Sequence, residues 1–236
     1  MSTKEQQTSG LDCPGAGVTV PSGINNLNQI AGEYCTTDDP GCGHGQGFLY
    51  TKKNGCVTMN YPGSAWNALT GINDAGWILG IYQNAGAGGY LDGIVHCAIY
   101  KPTPTGGYTS SAFNEGSSNC FSIGINGFGQ IVSYYYNDQT GQSVTATFDD
   151  AEAGPPGANT TIIASPTGQT EPRGINNNGI IAGTDLGLGG VVINGPNYVP
   201  LNISGSSVFG LNDDLELAGF YTNGPEDFGM VLDAPH

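Results

Sequence analysis

The sequence is poor in charged residues, and very few of them are basic. Of its 236 residues 11% are charged, and five Lys and Arg stand against twenty Asp and Glu, which gives a net charge of −15. A nucleic-acid-binding protein needs a basic surface to displace phosphate counterions, and an anionic membrane surface attracts basic segments. The composition therefore argues against both kinds of partner, and it leaves few charged side chains for long solvent-facing helices.

Long apolar segments are also missing. No apolar run approaches the roughly 20 residues that cross a bilayer, and Met1–Gly10 lacks the apolar region of a signal peptide. Six Cys in a chain with so little Lys and Arg are nevertheless typical of the secretory pathway. Asn159 and Asn202 begin Asn-x-Ser/Thr acceptors for N-glycosylation. We therefore expect a secreted protein, with Asn159 and Asn202 as its candidate glycosylation sites.

Glycine is abundant, and a repeated motif accounts for much of it. The chain has 40 Gly and 14 Pro, yet 38% of its residues are hydrophobic, which is enough for a core. A Gly-Ile-Asn or Gly-Leu-Asn motif, followed after seven residues by a second apolar segment, recurs at intervals of 48, 53, 50 and 36 residues. The five copies begin at Gly23, Gly71, Gly124, Gly174 and Gly210. Such a period indicates a repeat architecture.

Each repeat reads as four short strands separated by tight turns. The last repeat lacks an obvious fourth strand, and Gly17–Pro21 supplies an extra one at the other end of the chain. Pairing of that N-terminal strand with the last blade would close a ring and remove exposed sheet edges. The sequence therefore predicts an all-β, five-bladed β-propeller with four-stranded blades over residues 17–236, preceded by an N-terminal extension over residues 1–16.

The repeat resembles that of the HAF-repeat proteins, a mostly extracellular bacterial family. The resemblance rests on Gly71–Gly80, read as Gly-Ile-Asn-Asp-Ala-Gly-Trp-Ile-Leu-Gly, and on Gly47–Tyr50 ahead of Pro62-Gly63. It covers nearly the whole chain from residue 17 and implies propeller-like repeats in an extracytoplasmic setting. It implies no activity, so function has to be argued from a site.

Motifs of the common catalytic and metal sites are missing from the sequence. There is no Gly-x-Ser-x-Gly, the three His have no metal-ligand spacing, and no calcium loop is present. We therefore expect neither a metal nor a cofactor. Cys35 and Cys42 bracket a short loop and predict a local disulfide, whereas the pairing of the other four Cys is left open, with Cys97–Cys120 and Cys13–Cys56 as candidate pairs.

The propeller face that carries the longer loops is the expected ligand face. Aromatic residues close the second strand of four repeats or begin inner strands on this face. They are Tyr34, Tyr82, Tyr135 and Tyr221 at the ends of second strands, and Trp66, Phe121 and Phe209 on inner strands. They are interpreted either as ordinary packing between blades or as the lining of one cavity that binds a small apolar molecule.

The fourth repeat departs from the pattern at two positions. Asp185 replaces the Tyr, and Arg173, the only Arg of the chain, precedes its Gly-Ile-Asn motif. Folding of the hairpin is expected to bring the two side chains together. Arg173 would form an ion pair with Asp185 or Glu171, either as a structural pair or as a catalytic group directed at a ligand oxygen.

Three functions fit these features. The first is a cofactor-independent cyclase of secondary metabolism, in which one pocket orients two reactants and Arg173 polarises an oxygen. The disulfides, the glycosylation acceptors and the lack of a cofactor motif resemble the fungal hetero-Diels–Alderases of tropolonic sesquiterpene biosynthesis, which implies a polyketide- or terpene-like ligand. The alternatives are a secreted lectin and an extracellular structural protein without a ligand.

Overall fold

The computed structural model describes residues 10–39, 41–113, 119–137, 142–150 and 159–234. Within these ranges the regular secondary structure consists of β-strands and one short 3₁₀ turn. Blade 1 contains β1 (Ala16–Ile24), β2 (Ile30–Thr36), β3 (Gln46–Thr51) and β4 (Gly55–Thr58), and blade 2 contains β5 (Ser64–Ile72), β6 (Ile78–Asn84), β7 (His96–Pro102) and β8 (Tyr108–Phe113). Blade 3 contains β9 (Asn119–Ile125), β10 (Gln130–Asn137), β11 (Gln142–Asp150) and β12 (Thr161–Ile162). Blade 4 contains β13 (Thr170–Ile175), β14 (Ile181–Asp185), β15 (Gly189–Asn194) and β16 (Asn197–Pro200), and blade 5 contains β17 (Ser206–Leu211), β18 (Glu216–Asn223) and β19 (Glu226–Asp233). A 3₁₀ turn, Ala87–Gly89, follows β6.

The five sheets are antiparallel and follow one another in chain order, so the predicted five-bladed β-propeller is confirmed. The first strand of each blade is the inner one. The second strand of each blade packs on the inner strand of the next: β2 on β5, β6 on β9, β10 on β13 and β14 on β17. The apolar core therefore lies in layers between consecutive blades, where side chains such as Leu69, Ile131 and Leu217 are buried.

Each inner strand carries a β-bulge immediately before the glycine of its motif. The extra residue is Ser22, Thr70, Ile123, Arg173 or Phe209, from blade 1 to blade 5. The bulge brings a carbonyl close to the second strand of the same blade. A Cβ added at Gly32 would lie 2.2 Å from the oxygen of Val20, and one at Gly183 would lie 2.3 Å from that of Glu171. Close approach of backbone therefore requires glycine at these two positions, whereas blade 3 has Ser133 at the equivalent position.

The asparagine of the motif links each blade to the next. The Nδ2 atoms of Asn25, Asn73, Asn126 and Asn176 each donate to the carbonyl of the equivalent Asn in the following blade, over 2.9 to 3.1 Å. The Oδ1 atom of each of these residues accepts from the backbone amide four residues later and shapes the turn. One residue type therefore stabilises both the turn and the blade interface. We call this end of the blades the Asn face and the opposite end the loop face.

The expected Cys35–Cys42 disulfide is confirmed, and the other four Cys form the two candidate pairs. Cys13–Cys56 attaches the N-terminal segment to β4, Cys35–Cys42 closes the loop after β2, and Cys97–Cys120 joins blade 2 to blade 3. Three disulfides are consistent with an extracellular or secreted protein.

The expected closure of blade 5 by the N-terminal strand is wrong. Gly17–Pro21 lies within β1, which pairs with β2 from Ala16↔Thr36 to Ile24↔Ile30. These residues are continuous with the first Gly-Ile-Asn motif, and formation of the β1–β2 hairpin places them in the inner strand of blade 1. Blade 5 has three described strands, in the order β17-β18-β19.

Candidate functional site

Arg173 lies in the bulge of the inner strand of blade 4, and its charge acts on Tyr134 of blade 3. Its Nη2 is 2.6 Å from Oε2 of Glu171, and its side chain is 31% exposed. Its Nε is buried and has no hydrogen-bond partner among the described residues. On blade 3, the rings of Phe121 and Tyr134 stack with centroids 4.8 Å apart. We call Phe121, Tyr134, Glu171 and Arg173 the Arg173 cluster.

The charges of the cluster act on Tyr134. Burial raises the pKa of its hydroxyl, the negative charge of Glu171 raises it further, and the positive charge of Arg173 opposes both. The tyrosine is therefore neutral at physiological pH, and its electrostatic environment includes both charged groups. Phe121, Glu171 and Arg173 lie on β9 and β13, the inner strands of blades 3 and 4, and Tyr134 lies on β10, the second strand of blade 3.

Asp185 does not belong to this cluster, and the expectation that it holds Arg173 is wrong. It pairs with Thr170 at the loop-face end of β13, whereas Arg173 occupies the bulge between Pro172 and Gly174. The bulge and the strand register therefore separate the two side chains. Of the two partners considered from the sequence, Glu171 is the one that the structure shows.

The Asp185 carboxylate is fully buried and surrounded by donors. Its Oδ2 accepts from the hydroxyls of Ser165, Thr167 and Tyr198 over 2.6 to 2.9 Å. Its Oδ1 accepts from the amides of Gly187 and Leu188. Burial alone raises the pKa of Asp185, but the hydrogen bonds outweigh it and lower the pKa below its ordinary value. This carboxylate organises the loop-face end of blade 4.

The tyrosines that close the second strands contact residues of their own or adjacent blades. The Tyr34 hydroxyl lies 2.7 Å from Thr58 Oγ1, Tyr135 is buried in the core between blades 2 and 3, and Tyr221 stacks on Phe228. Tyr82 belongs to the His96 group described below. Phe209 is 56% exposed and lies 5.5 Å from the ring of Phe220. Of the predicted ligand-binding aromatics, only Phe121 is a member of the Arg173 cluster.

Trp66 meets a carboxylate between blades 1 and 2. Burial raises the pKa of Glu33, and a hydrogen bond from Trp66 partly offsets that effect. Glu33 also lies close to Cys35 and Cys42. Both sulfurs are joined in a disulfide, so these three residues leave a single carboxylate ligand and do not form a metal site.

A polar group around His96 on blade 2 was not anticipated. The rings of Tyr61, Tyr82 and His96 stack in sequence, at centroid distances of 4.1 and 4.9 Å. The His96 Nε2 lies 3.4 Å from Asp92 Oδ2 and 3.2 Å from Asn84 Nδ2. Burial and Tyr61 raise the pKa of Tyr82 to about 12. The four-residue spacing of Asp92 and His96 is the one signal by which the sequence could have shown this pair.

Three cavities lie on the two faces of the propeller and between two of its blades. One of about 330 Å³ on the loop face is lined by residues 184–189 and 204–207, including Asp185. A polar one of about 420 Å³ on the Asn face is lined by the five motif asparagines. An apolar one of about 410 Å³ lies between blades 3 and 4 and is lined by Phe148, Ile163 and Ile193 among others. The Arg173 cluster lines none of these three.

The predicted glycosylation acceptors, Asn159 and Asn202, are both exposed. Among the described residues, no helix has the length and apolar character needed to span a membrane.

No protein-family model matches the chain, and no curated protein matches it. The chain is similar to a solved structure described as "Streptogramin B lyase structure", with 14% identity and a TM-score of 0.39, over 85% of this chain and 74% of that chain.

Proposed function

We propose that the protein binds one small organic molecule or reactant pair at the Arg173 cluster and catalyses a cofactor-independent cyclisation there. The observation that carries the proposal is the buried Nε of Arg173, which has no partner among the described residues although its neighbour Nη2 is paired. A buried N–H without an acceptor is unfavourable. A ligand oxygen would complete its hydrogen bonding if the side chains that cover this buried atom moved aside to admit it.

The neighbouring groups suit a ligand with an unsaturated, largely apolar body. The stacked rings of Phe121 and Tyr134 offer an aromatic surface, and aromatic contacts favour flat, unsaturated partners. The guanidinium remains charged at any physiological pH. Glu171 fixes its orientation, so that it is a positioning residue for Arg173.

A hetero-Diels–Alder reaction is the form of cyclisation that these residues would assist. A C–C and a C–O bond form from the π electrons of an enone or quinone methide and an alkene, and no proton or leaving group is lost. A charge-assisted hydrogen bond from Arg173 to the oxygen would make the heterodiene more electrophilic, contributing about 1.5–3 kcal/mol. Orientation of the two reactants would supply the remainder.

The test is the rate and stereoselectivity of cycloaddition between a generated o-quinone methide and a terpene polyene. We expect Arg173→Ala to reduce the accelerated rate about 10- to 100-fold, and Arg173→Lys to retain part of it. Lys101→Ala is the control, because Lys101 lies over the Trp77 ring on blade 2 and its loss should leave the rate unchanged. Equal rates for wild type and Arg173→Ala would contradict the proposal, as would binding of glycans that is independent of Arg173.

We also propose that the protein is secreted and carries glycans at Asn159 and Asn202, in keeping with its three disulfides and the exposure of both side chains. Expression in a eukaryotic secretory host followed by treatment with a peptide N-glycosidase tests this. A loss of mass at both sites is the expected result.

A further inference from the structure

The cavity of about 410 Å³ between blades 3 and 4 has the size of a small-molecule site. Ligand sites in proteins are concave and mostly apolar, with volumes of about 300–1,000 Å³. Ile181 and Ile193, which line this cavity, are 5% and 4% exposed, whereas Ile162 is 66% exposed and Pro196 is exposed as well. The cavity therefore extends from the surface to a buried apolar floor. We call it the blade 3–4 cavity.

The described residues that line the blade 3–4 cavity carry no charge. Thr161 and Tyr198 are the lining residues with polar side chains. The Tyr198 hydroxyl lies 2.7 Å from both Asp185 Oδ2 and Thr170 Oγ1, and neither of these two residues lines the cavity. Burial raises the pKa of Tyr198 to about 12. Its side chain is therefore neutral and presents its ring to the cavity.

This lining selects against charged molecules. An ionised group taken into an apolar cavity loses its hydration and finds no counter-charge there, which is unfavourable. The net charge of −15 of the chain adds a general repulsion of anions. A neutral molecule with a largely apolar surface meets neither penalty, and burial of its surface favours binding.

Blade 2 shows how the equivalent space is filled elsewhere in the chain. Tyr100 pairs with Ile78 between the third and second strands, and Ile193 pairs with Ile181 at the equivalent position of blade 4. Tyr100 is 3% exposed and belongs to the same core cluster as Leu49 of blade 1. Ile193 has the smaller side chain, so blade 4 leaves unfilled part of the space that the tyrosine ring occupies in blade 2.

We infer that the blade 3–4 cavity binds a neutral, largely apolar small molecule. Its volume and buried floor suit a small molecule, and its uncharged lining determines the chemical class. The Tyr198 ring, whose hydroxyl is held by Asp185, provides a fixed aromatic wall. Arg173 and Glu171 do not line this cavity, so the site is separate from the Arg173 cluster.

The test compares two fluorescent probes that share one aromatic body. N-phenylnaphthylamine is neutral, and anilinonaphthalene sulfonate carries an additional negative charge. We expect the wild type to enhance the fluorescence of the neutral probe and to bind the sulfonate at least about 10-fold more weakly. Equal affinity for the two probes, or no binding of the neutral one, would overturn the inference.

Two variants locate the bound probe. Ile193→Phe places a ring where blade 2 has that of Tyr100, and filling of the cavity should weaken binding of the neutral probe about 10-fold or more. Ile162→Asp places a charge at the exposed rim, where folding tolerates it, and should weaken binding several-fold. Unchanged affinity in both variants would place the probe elsewhere and contradict the inference.

Val57→Phe is the matched control, because it makes a similar increase in size at a residue of blade 1 that is 47% exposed. It should bind the neutral probe like the wild type. Arg173→Ala should also bind the probe like the wild type, because Arg173 does not line the cavity. Loss of cyclisation and loss of probe binding can therefore be distinguished in the same set of variants.

Discussion

Asp185 and Arg173 are the two side chains that distinguish blade 4 from the other blades. They differ in burial and in how completely their polar atoms are hydrogen-bonded. Asp185 is completely buried, and both of its carboxylate oxygens accept hydrogen bonds from hydroxyls and backbone amides. Arg173 is partly exposed, has one carboxylate partner and keeps a buried Nε that no described residue bonds.

The comparison separates a structural residue from a candidate functional one. A buried charge whose hydrogen bonds are all made rigidifies the structure around it, and Asp185 joins the loop at Ser165–Thr167, the outer strand at Tyr198 and the turn at Gly187. A cationic side chain with an unused donor beside an aromatic surface is suited to a ligand. Substitutions at the two sites should therefore affect different properties.

The largest effect is expected on stability. Asp185→Ala leaves the hydroxyls of Thr167 and Tyr198 without their acceptor, and we expect the free energy of unfolding to fall by about 3 kcal/mol. Asp213→Ala, which removes an exposed carboxylate bonded to Asn177, should cost about 1 kcal/mol or less. Urea denaturation measures both. Equal losses would mean that the Asp185 network contributes no more than a surface pair.

A smaller effect is expected on activity. Glu171→Gln removes the charge that orients Arg173 and should lower kcat several-fold while leaving the free energy of unfolding within about 1 kcal/mol of the wild type. Tyr134 offers an independent readout, because Glu171 raises its pKa. Its spectroscopic titration should therefore move to lower pH in the variant. An unchanged titration would show that the Glu171 charge does not act on this cluster.

The smallest effect is a pH dependence of stability. The folded pKa of Asp185 is lower than its ordinary value, because hydrogen bonds outweigh the burial that raises it. Its contribution is therefore complete above the unfolded pKa of about 3.9, and it disappears as the pH falls through the folded pKa. The stability difference between wild type and Asp185→Asn should shrink in that acid range. The difference for Tyr34→Phe, whose hydroxyl contacts Thr58, should stay constant.

The repeats made much of the fold predictable. The spacing of the Gly-Ile-Asn copies indicated five blades, and the loop between Cys35 and Cys42 indicated a local disulfide. The candidate site was predictable only in part. Arg173 was identified as an exception in its repeat and Phe121 as an inner-strand aromatic, but the pairing of Phe121 with Tyr134 depends on the register of β9 and β10, and the placement of Arg173 near Tyr134 depends on the packing of blade 3 on blade 4, which local patterns do not show.

Sequence alone therefore determined the number of blades, the positions of their turns and the residues that break the repeat, because these depend on spacing and on local conformational preference. Only the tertiary structure decided that Gly17–Pro21 belongs to blade 1 and that Glu171 rather than Asp185 pairs with Arg173. These outcomes depend on strand register, on the bulge at Arg173 and on contacts between residues far apart in the chain.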